Sequence, residues 1–335
     1  MLKSIIHAVL AAAALLLLTA TASAQVREHT IKLAFAITGD NPQTRGAAYF
    51  KSEVERLSGG RMRVALYPGS QLGPDLQVLS GLRAGAIEAQ LTTTSLLGGI
   101  DRAFNVYDIP FLFRDFRELY AVSDGEAGQR LRDIGQANGL VILNLHSGAW
   151  RNLTNRTRPV ASVQDIKGLK LRTLQSAVFI DLWKALGANP VALPFPELYT
   201  ALEQGTVDGQ ENANGVTVFA KLTEVQKHFT ATQHNAYVGV LLFSGPVWQR
   251  LNEDERNVLR QAGASSQQFW RQALLDNDAM LLRTIGEKLT VTALSPAARA
   301  EMERLVQPVI DKTMATLDAA LAQQVRAAIA SVRGR

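Results

Sequence analysis

The residue best suited to chemistry in this sequence is an arginine inside a predicted strand, Leu171-Arg172-Thr173. A guanidinium stays charged in proteins, so an enclosed arginine needs acceptors for its donors. In one interpretation the side chain lies at the surface or pairs with a carboxylate of its own chain. In the other it holds the carboxylate of a bound ligand through two parallel hydrogen bonds. The residue pattern by itself leaves both open.

Motifs of catalysis and of metal binding are absent from the sequence. GxSxG, HExxH, the P-loop and GxGxxG do not occur, and there is no cysteine. The histidines have no metal-ligand spacing; they are His7, His29, His146, His228 and His234. We therefore predict a protein that is not an enzyme and that needs no metal and no cofactor.

The N-terminus is typical of a secretory signal peptide. Lys3 precedes an apolar run over 8–18, and Ala22-Ser23-Ala24 has the small-x-small pattern of a cleavage site. We predict a mature chain that starts near Gln25 and resides in the periplasm; an uncleaved anchor is the alternative. Without Lys3, 34 basic residues stand against 30 acidic ones, a net charge of +4. This scattered excess argues against nucleic acid as a partner.

Hydrophobic periodicity predicts two α/β units in the mature chain. Because strands alternate with helices in each unit, parallel sheets with crossover helices are expected. A strand at 237–243 is expected to return the chain to the first unit, before helical segments fill the C-terminus. The predicted strands cover 31–35, 62–66, 87–91, 141–145, 170–173, 190–193 and the stretch from 207. The predicted helices cover 42–57, 75–84, 177–186, 197–204, a long segment from 252 or 254, and a tail at 305–332.

The region after Gly168 carries a combination of motifs. It reads Gly168-Leu-Lys-Leu-Arg172, Leu186-Gly-Ala-Asn-Pro190, Pro196-Glu-Leu-Tyr-Thr-Ala-Leu202 and Val207-Asp-Gly-Gln-Glu-Asn212. Together with Tyr67-Pro-Gly-Ser-Gln-Leu-Gly73 and Ile109-Pro-Phe-Leu-Phe113, this resembles the DctP-type solute-binding proteins. These serve tripartite ATP-independent periplasmic (TRAP) transporters, and the resemblance extends over the mature chain.

The resemblance implies an α/β fold, a two-lobed periplasmic-binding-protein clamshell. Each lobe would hold a mostly parallel sheet flanked by helices, with long C-terminal helices bridging the lobes. Residues 1–24 would be the signal peptide, 25–147 plus 239–272 lobe I, and 148–238 plus 273–332 lobe II. Such a receptor would bind a small carboxylate, act as a monomer and deliver it to the small and large membrane subunits of a TRAP permease.

The resemblance also implies ligand contacts. The family arginine that pairs with the ligand carboxylate matches Arg172, and a second position matches Arg151. Further matches, on the same basis, are Asn212 and Phe195. Trp150 is equally suited to a pocket wall or to plain core.

The first-lobe face is predicted to be mildly polar. Thr92-Thr93-Thr94 stands where relatives that bind sialic acid carry a glutamate, so sialic acid is disfavoured. Thr93 and Thr38 are the candidate contacts on this side, with Ala36 and Asn41 nearby.

Three other functions fit an exported chain. It could be the receptor of an ATP-driven importer, an exported hydrolase, or a sensor subunit that presents ligand to a signalling receptor. The sequence does not name the organic acid.

Overall fold

The computed structural model describes residues 26–333, so the predicted signal peptide lies outside the described residues. Within that range the strands are β1 (His29–Ala34), β2 (Met62–Tyr67), β3 (Ala89–Thr93), β4 (Leu140–His146), β5 (Trp150–Asn155), β6 (Lys170–Thr173), β7 (Asn189–Ala192), β8 (Gly209–Ala213), β9 (His228–Ala236), β10 (Gly239–Ser244) and β11 (Thr290–Thr292). The helices there are α1 (Pro42–Leu57), α2 (Asp75–Ala84), α3 (Phe116–Asp124), α4 (Glu126–Ala137), α5 (Ala177–Ala185), α6 (Leu198–Glu203), α7 (Asn214–Phe219), α8 (Gly245–Arg250), α9 (Glu253–Lys288), α10 (Pro296–Met314) and α11 (Ala319–Arg333).

Two sheets form the cores of two lobes. The first lobe holds five strands in the order β2-β1-β3-β10-β4, and the second holds six in the order β11-β9-β5-β8-β6-β7. β1 runs parallel to β2 and β3, and β6 runs parallel to β7 and β8. β10 runs antiparallel to β3 and β4, and β5 runs antiparallel to β8 and β9. The predicted two-lobed α/β fold is confirmed, and the returning strand is β10.

Local sequence determines where the main helices begin. Asn41 caps α1, since its side chain accepts hydrogen bonds from the backbone of Gln43 and Thr44 while Pro42 occupies the first turn. Asn252 does the same for α9 in a capping box with Glu255. Both starts agree with the sequence-based prediction.

The C-terminal helices connect the lobes. α9 packs against α1 and β4 of the first lobe and against α7 and β11 of the second. The predicted single tail helix over 305–332 is wrong, because the chain breaks between α10 and α11. α10 packs on α5, whereas α11 packs on α3 and α4, beside the first sheet. Its apolar stripe, which includes Leu321 and Val325, belongs to that lobe's core, so the end of the chain departs from the predicted lobe II boundary.

No helix within residues 26–333 has the length and apolar character needed to cross a membrane.

An indole anchors the packing of α9 on the first lobe. Trp270 is fully buried, stacks on His146 with ring centroids 4.6 Å apart, and lies against α1 at Gly46. A Cβ at Gly46 would lie 2.0 Å from the indole nitrogen. The absence of a side chain at this position is therefore what lets the two helices approach each other.

Gly46→Ala is expected to lower the free energy of unfolding by about 1–3 kcal/mol, because overpacking outweighs the helix propensity of alanine. Urea unfolding checks this value. Gly286→Ala is the matched control, since it also lies in a helix and its Cβ would meet only ordinary contact at 3.8 Å. Equal stability of the two variants would contradict the packing argument.

Candidate ligand-binding cleft

A cavity of about 90 Å³ lies between the lobes, where the carboxyl ends of parallel strands meet. Open α/β sheets bind ligands at this edge, because the loops that follow the strands converge there. The first lobe contributes residues after β1 and on β3, and the second contributes residues on and after β6 and β8. Five of the seven predicted contacts line the cavity or its floor: Arg172, Arg151, Asn212, Phe195 and Thr93.

Arg172 reaches the cavity from β6 and is only 3% exposed. Its Nε and Nη2 donate to the carbonyl oxygen of Leu193 at 3.0 and 2.7 Å. No acidic side chain within residues 26–333 forms an ion pair with it. Burial lowers the pKa of this guanidinium to about 10, with opposing effects from the charges of Glu211 and Asp75. The cation thus lies enclosed and without a direct counter-ion.

Arg151 lines the same cavity but is already paired. Its Nε and Nη2 donate to the Glu211 carboxylate at 2.6 and 2.9 Å, and Nη2 also donates to the Glu211 carbonyl oxygen at 3.0 Å. Register explains the pairing, since Arg151 opposes Ala213 and Glu211 lies two residues away, on the same face. The sequence predicted a ligand contact here, and the structure assigns most of this guanidinium to its own chain.

A histidine completes this buried pair. His234 on β9 lies 3.0 Å from Glu211, with both side chains fully enclosed. Burial raises the pKa of Glu211, but Arg151 and His234 outweigh it and hold that pKa below its usual value. Burial lowers the pKa of His234, which favours its neutral form. Glu211 therefore binds both Arg151, which lines the cavity, and His234, which does not.

Asp75 is a lining residue that sequence reasoning missed. It opens α2, accepts the Thr92 hydroxyl at 2.8 Å, and accepts the Gln90 amide at 3.2 Å. Burial raises its pKa. The signal that could have found it is its place two residues after Tyr67-Pro-Gly-Ser-Gln-Leu-Gly73, one of the motifs that carry the family resemblance. A carboxylate of the first lobe thus lies across from the guanidinium of the second.

Three other predicted contacts, Asn212, Phe195 and Thr93, also line the cavity. Asn212 is 5% exposed, and its Oδ1 accepts from the backbone of Ala213 at 3.2 Å, with no protein acceptor for its amide nitrogen among the described residues. Phe195 is half-buried and lines the cavity. The Thr93 hydroxyl lines it too, but donates to the Val238 carbonyl oxygen at 3.0 Å.

Trp150 and Thr38 lie outside this cavity. Successive side chains of a strand point to opposite faces, so Trp150 points away from the side of Arg151. Its indole stacks on Phe116 at 5.0 Å and borders a separate polar groove with Arg299. Thr38 is exposed in the loop after β1, near Gly69. Neither position supports the predicted contact in this structure.

Within residues 26–333 no group of three or more His, Asp or Glu side chains is arranged to hold a metal ion. Gln43 and Tyr237, joined by a hydrogen bond, and Gln175 add further polar groups to the cavity. The arrangement can bind an anion at Arg172 and hydrogen-bond the remainder of a small polar molecule.

Comparison with known proteins gives a consistent result. Residues 34–317 match the family described as bacterial extracellular solute-binding protein, family 7. The C4-dicarboxylate-binding periplasmic protein DctP of Rhodobacter capsulatus is 31% identical over 303 residues, 90% of this chain and 91% of that protein.

Solved structures agree in fold. The sugar acid binding protein DctPAm of Advenella mimigardefordensis, in complex with galactonate, superposes with a TM-score of 0.88 at 33% identity, covering 91% of this chain and 99% of that chain. A TRAP periplasmic solute binding protein of Sulfurospirillum deleyianum with bound succinate has a TM-score of 0.85 at 30% identity, covering 90% and 99%.

Glu211→Ala is expected to lower the free energy of unfolding by about 3–5 kcal/mol, because it leaves the Arg151 cation buried and unpaired. Denaturant unfolding measures the change. Glu203→Ala, at an exposed position, is the control and should change stability by less than about 0.5 kcal/mol. A loss at Glu211 as small as at Glu203 would mean that the pair does not form.

Proposed function

The chain belongs to family 7 of the bacterial extracellular solute-binding proteins, and from this premise we propose that it captures a hydroxylated organic acid by pairing the acid's carboxylate with Arg172. It is a TRAP solute-binding receptor for small organic acids, and proteins of this kind are binding receptors rather than enzymes. In the proposed cycle the lobes close on the ligand, and the closed form delivers it to the membrane permease.

The observation that carries the proposal is the enclosed, unpaired guanidinium of Arg172. A buried charge needs a partner, and a ligand carboxylate supplies both the charge and the planar acceptor geometry. Arg151 is less suited to that role, since Glu211 already neutralises it. Asn212, with a free amide nitrogen beside the cavity, is placed to complete the hydrogen bonding of the same carboxylate.

Lobe closure follows from the size of the ligand. A small anion offers too little surface for one lobe, so tight binding requires walls on both sides. Excluding water also lowers the local dielectric, which strengthens the charge pair. A ligand shifts the open–closed equilibrium only by its differential affinity for the closed form.

Asp75 favours hydroxylated ligands over dicarboxylates. Its carboxylate accepts hydrogen bonds, and the hydroxyls of a sugar acid are donors. A second carboxylate on the ligand would meet a like charge there unless Asp75 took up a proton. The galactonate found in the similar DctPAm supports the first kind of ligand, although succinate occupies another similar protein.

The partners in this proposal are the small and large membrane subunits of a TRAP permease, with the receptor acting as a monomer in the periplasm. The alternative of a sensor subunit predicts a different phenotype. Deletion of the receptor would then abolish a response to the acid and leave its uptake intact, whereas a transport receptor is required for uptake itself.

Mass spectrometry of the acid released from the purified protein identifies the ligand. Melting temperatures measured with a panel of organic acids show which chemical class of acid the protein binds. We expect sugar acids such as galactonate to raise the melting temperature more than succinate does. A chain stabilised by no organic acid would contradict the proposed function.

Arg172→Ala is expected to weaken binding of the captured acid by about thirtyfold to several-thousandfold, since removing one partner of a buried charge pair costs on the order of 2–5 kcal/mol and each 1.4 kcal/mol is about tenfold. Arg172→Lys should also bind poorly, because an ammonium lacks the planar fork. Isothermal titration calorimetry provides both values. Arg283→Ala, at an exposed position, controls for net charge. A folded Arg172→Ala protein with wild-type affinity would refute the assignment.

Asp75→Asn is expected to weaken galactonate binding about tenfold, the loss of a charge-assisted hydrogen bond, and to leave succinate binding equal or stronger. Calorimetry with both acids gives the ratio of the galactonate affinity to the succinate affinity. Asp276→Asn is an exposed control. An unchanged ratio of the two affinities would remove Asp75 from the selection of ligand.

A further inference from the structure

A buried carboxylate joins the two lobes behind the cavity. Asp108, at the end of the 3-10 helix Arg102–Asp108, is 2% exposed. Its Oδ1 accepts the hydroxyl of Ser95 at 2.6 Å, and its Oδ2 accepts the hydroxyl of Ser176 at 3.0 Å. Each oxygen of one carboxylate is thus bonded to a different segment of the chain.

These two serines belong to two chain segments that line the cleft. Ser95 follows β3 of the first lobe, two residues after Thr93. Ser176 follows β6 of the second lobe, four residues after Arg172. Asn235 of β9 donates to the carbonyl oxygen of Asp108 at 2.7 Å and holds the backbone in place. Asp108 therefore ties the segment that carries Thr93 to the segment that carries Arg172.

We propose that Asp108 is a positioning residue for ligand binding: by bonding Ser95 and Ser176 at once, it holds the segments that carry Thr93 and Arg172 at the separation required in the closed cleft. Asp108 is not among the residues that line the cavity, so it acts through these two segments rather than through the ligand. This inference rests on the proposed function, because it concerns closure around the acid.

The carboxylate is also set to respond to pH. Burial raises the pKa of Asp108 to about 7, although both serine hydroxyls and the charge of Arg151 lower it, and Glu211 raises it further. His234 contacts Glu211 and its charge is influenced by Arg299, and the 3-10 helix Thr94–Gly99, which carries Ser95, contributes no titratable group.

The direction of the pH effect follows from linkage. Opening the cleft would return the carboxylate to water and its pKa toward the ordinary value. The closed form then binds the proton more strongly than the open form. Closure is favoured below the ordinary pKa and becomes weaker as pH rises through about 7.

The hydrogen bonds from Ser95 and Ser176 to Asp108 are tested by measuring ligand affinity with calorimetry. Galactonate and succinate are tried first on the wild-type protein, and the acid that saturates it is used for the variants. Ser95→Ala and Ser176→Ala are each expected to weaken binding about tenfold, and the double variant little more than either one, because both act through one carboxylate. Ser266→Ala is the matched control, a buried hydroxyl bonded within the first lobe to Asn144 and Gly263. Wild-type affinity in Ser176→Ala, or strictly additive losses, would overturn the proposal.

A distance measurement separates closure from general stability. The chain has no cysteine, so Ala48→Cys and Lys184→Cys, at exposed positions of the two lobes, accept spin labels selectively. Saturating acid is expected to shorten the label distance in the wild type and to leave a longer population in Ser176→Ala at the same occupancy. Identical distance distributions in the two proteins would overturn the proposal, whatever the melting temperatures.

Asp108→Asn keeps the shape and one acceptor of the side chain while removing its titration. The wild type is expected to lose affinity from about pH 6 to about pH 8, and Asp108→Asn to bind equally across that range. A variant with the wild-type pH profile would overturn the assignment. The proposed function fails in a distinguishable way: then the wild type binds no acid, or Arg172→Ala binds normally, before any serine is changed.

Discussion

Enclosing a guanidinium without a counter-charge is unfavourable, and the cleft is organised around one such group. Arg172 bonds only a carbonyl oxygen, so its charge remains available between the lobes. Arg151, which lines the same cavity, is bound to Glu211. Had both arginines been neutralised, the cavity would have no charge for an anion. Had neither been, two like charges would repel each other across the site.

Both lobes position their cavity residues in the same way. Each presents the carboxyl ends of parallel strands, where loop residues can approach one another without breaking the sheet. The antiparallel strand β5 then brings Arg151 beside β8, and so beside Glu211. Two buried carboxylates that do not line the cavity have partners within the chain: Glu211 binds His234, and Asp108 accepts from Ser95 and Ser176. These bonds hold the neighbouring cavity residues in position.

Sequence periodicity predicted β6, α2 and the start of α9 accurately, because strand alternation and end caps are local properties. β5, β9 and β11 were not foreseen, since their pairing depends on segments far away in the chain. The importance of Arg172 could be read from its strand and its family motif. The pairing of Arg151 with Glu211, and the approach of Asp75 from the other lobe, depend on register and lobe geometry, which no local pattern encodes. Trp150 lies outside the cavity because it is the neighbour of Arg151 on one strand, and successive side chains of a strand point to opposite faces.

The position of β10 has a consequence for how the polypeptide acquires its shape. This strand lies between β3 and β4, and β4 has no other partner in its sheet. The first lobe therefore cannot complete its sheet until residue 244 has been synthesised, after five of the six strands of the second sheet. Such long-range pairing slows folding. A nascent chain built in this order stays unfolded for longer, the state in which a polypeptide can be threaded through a secretion channel.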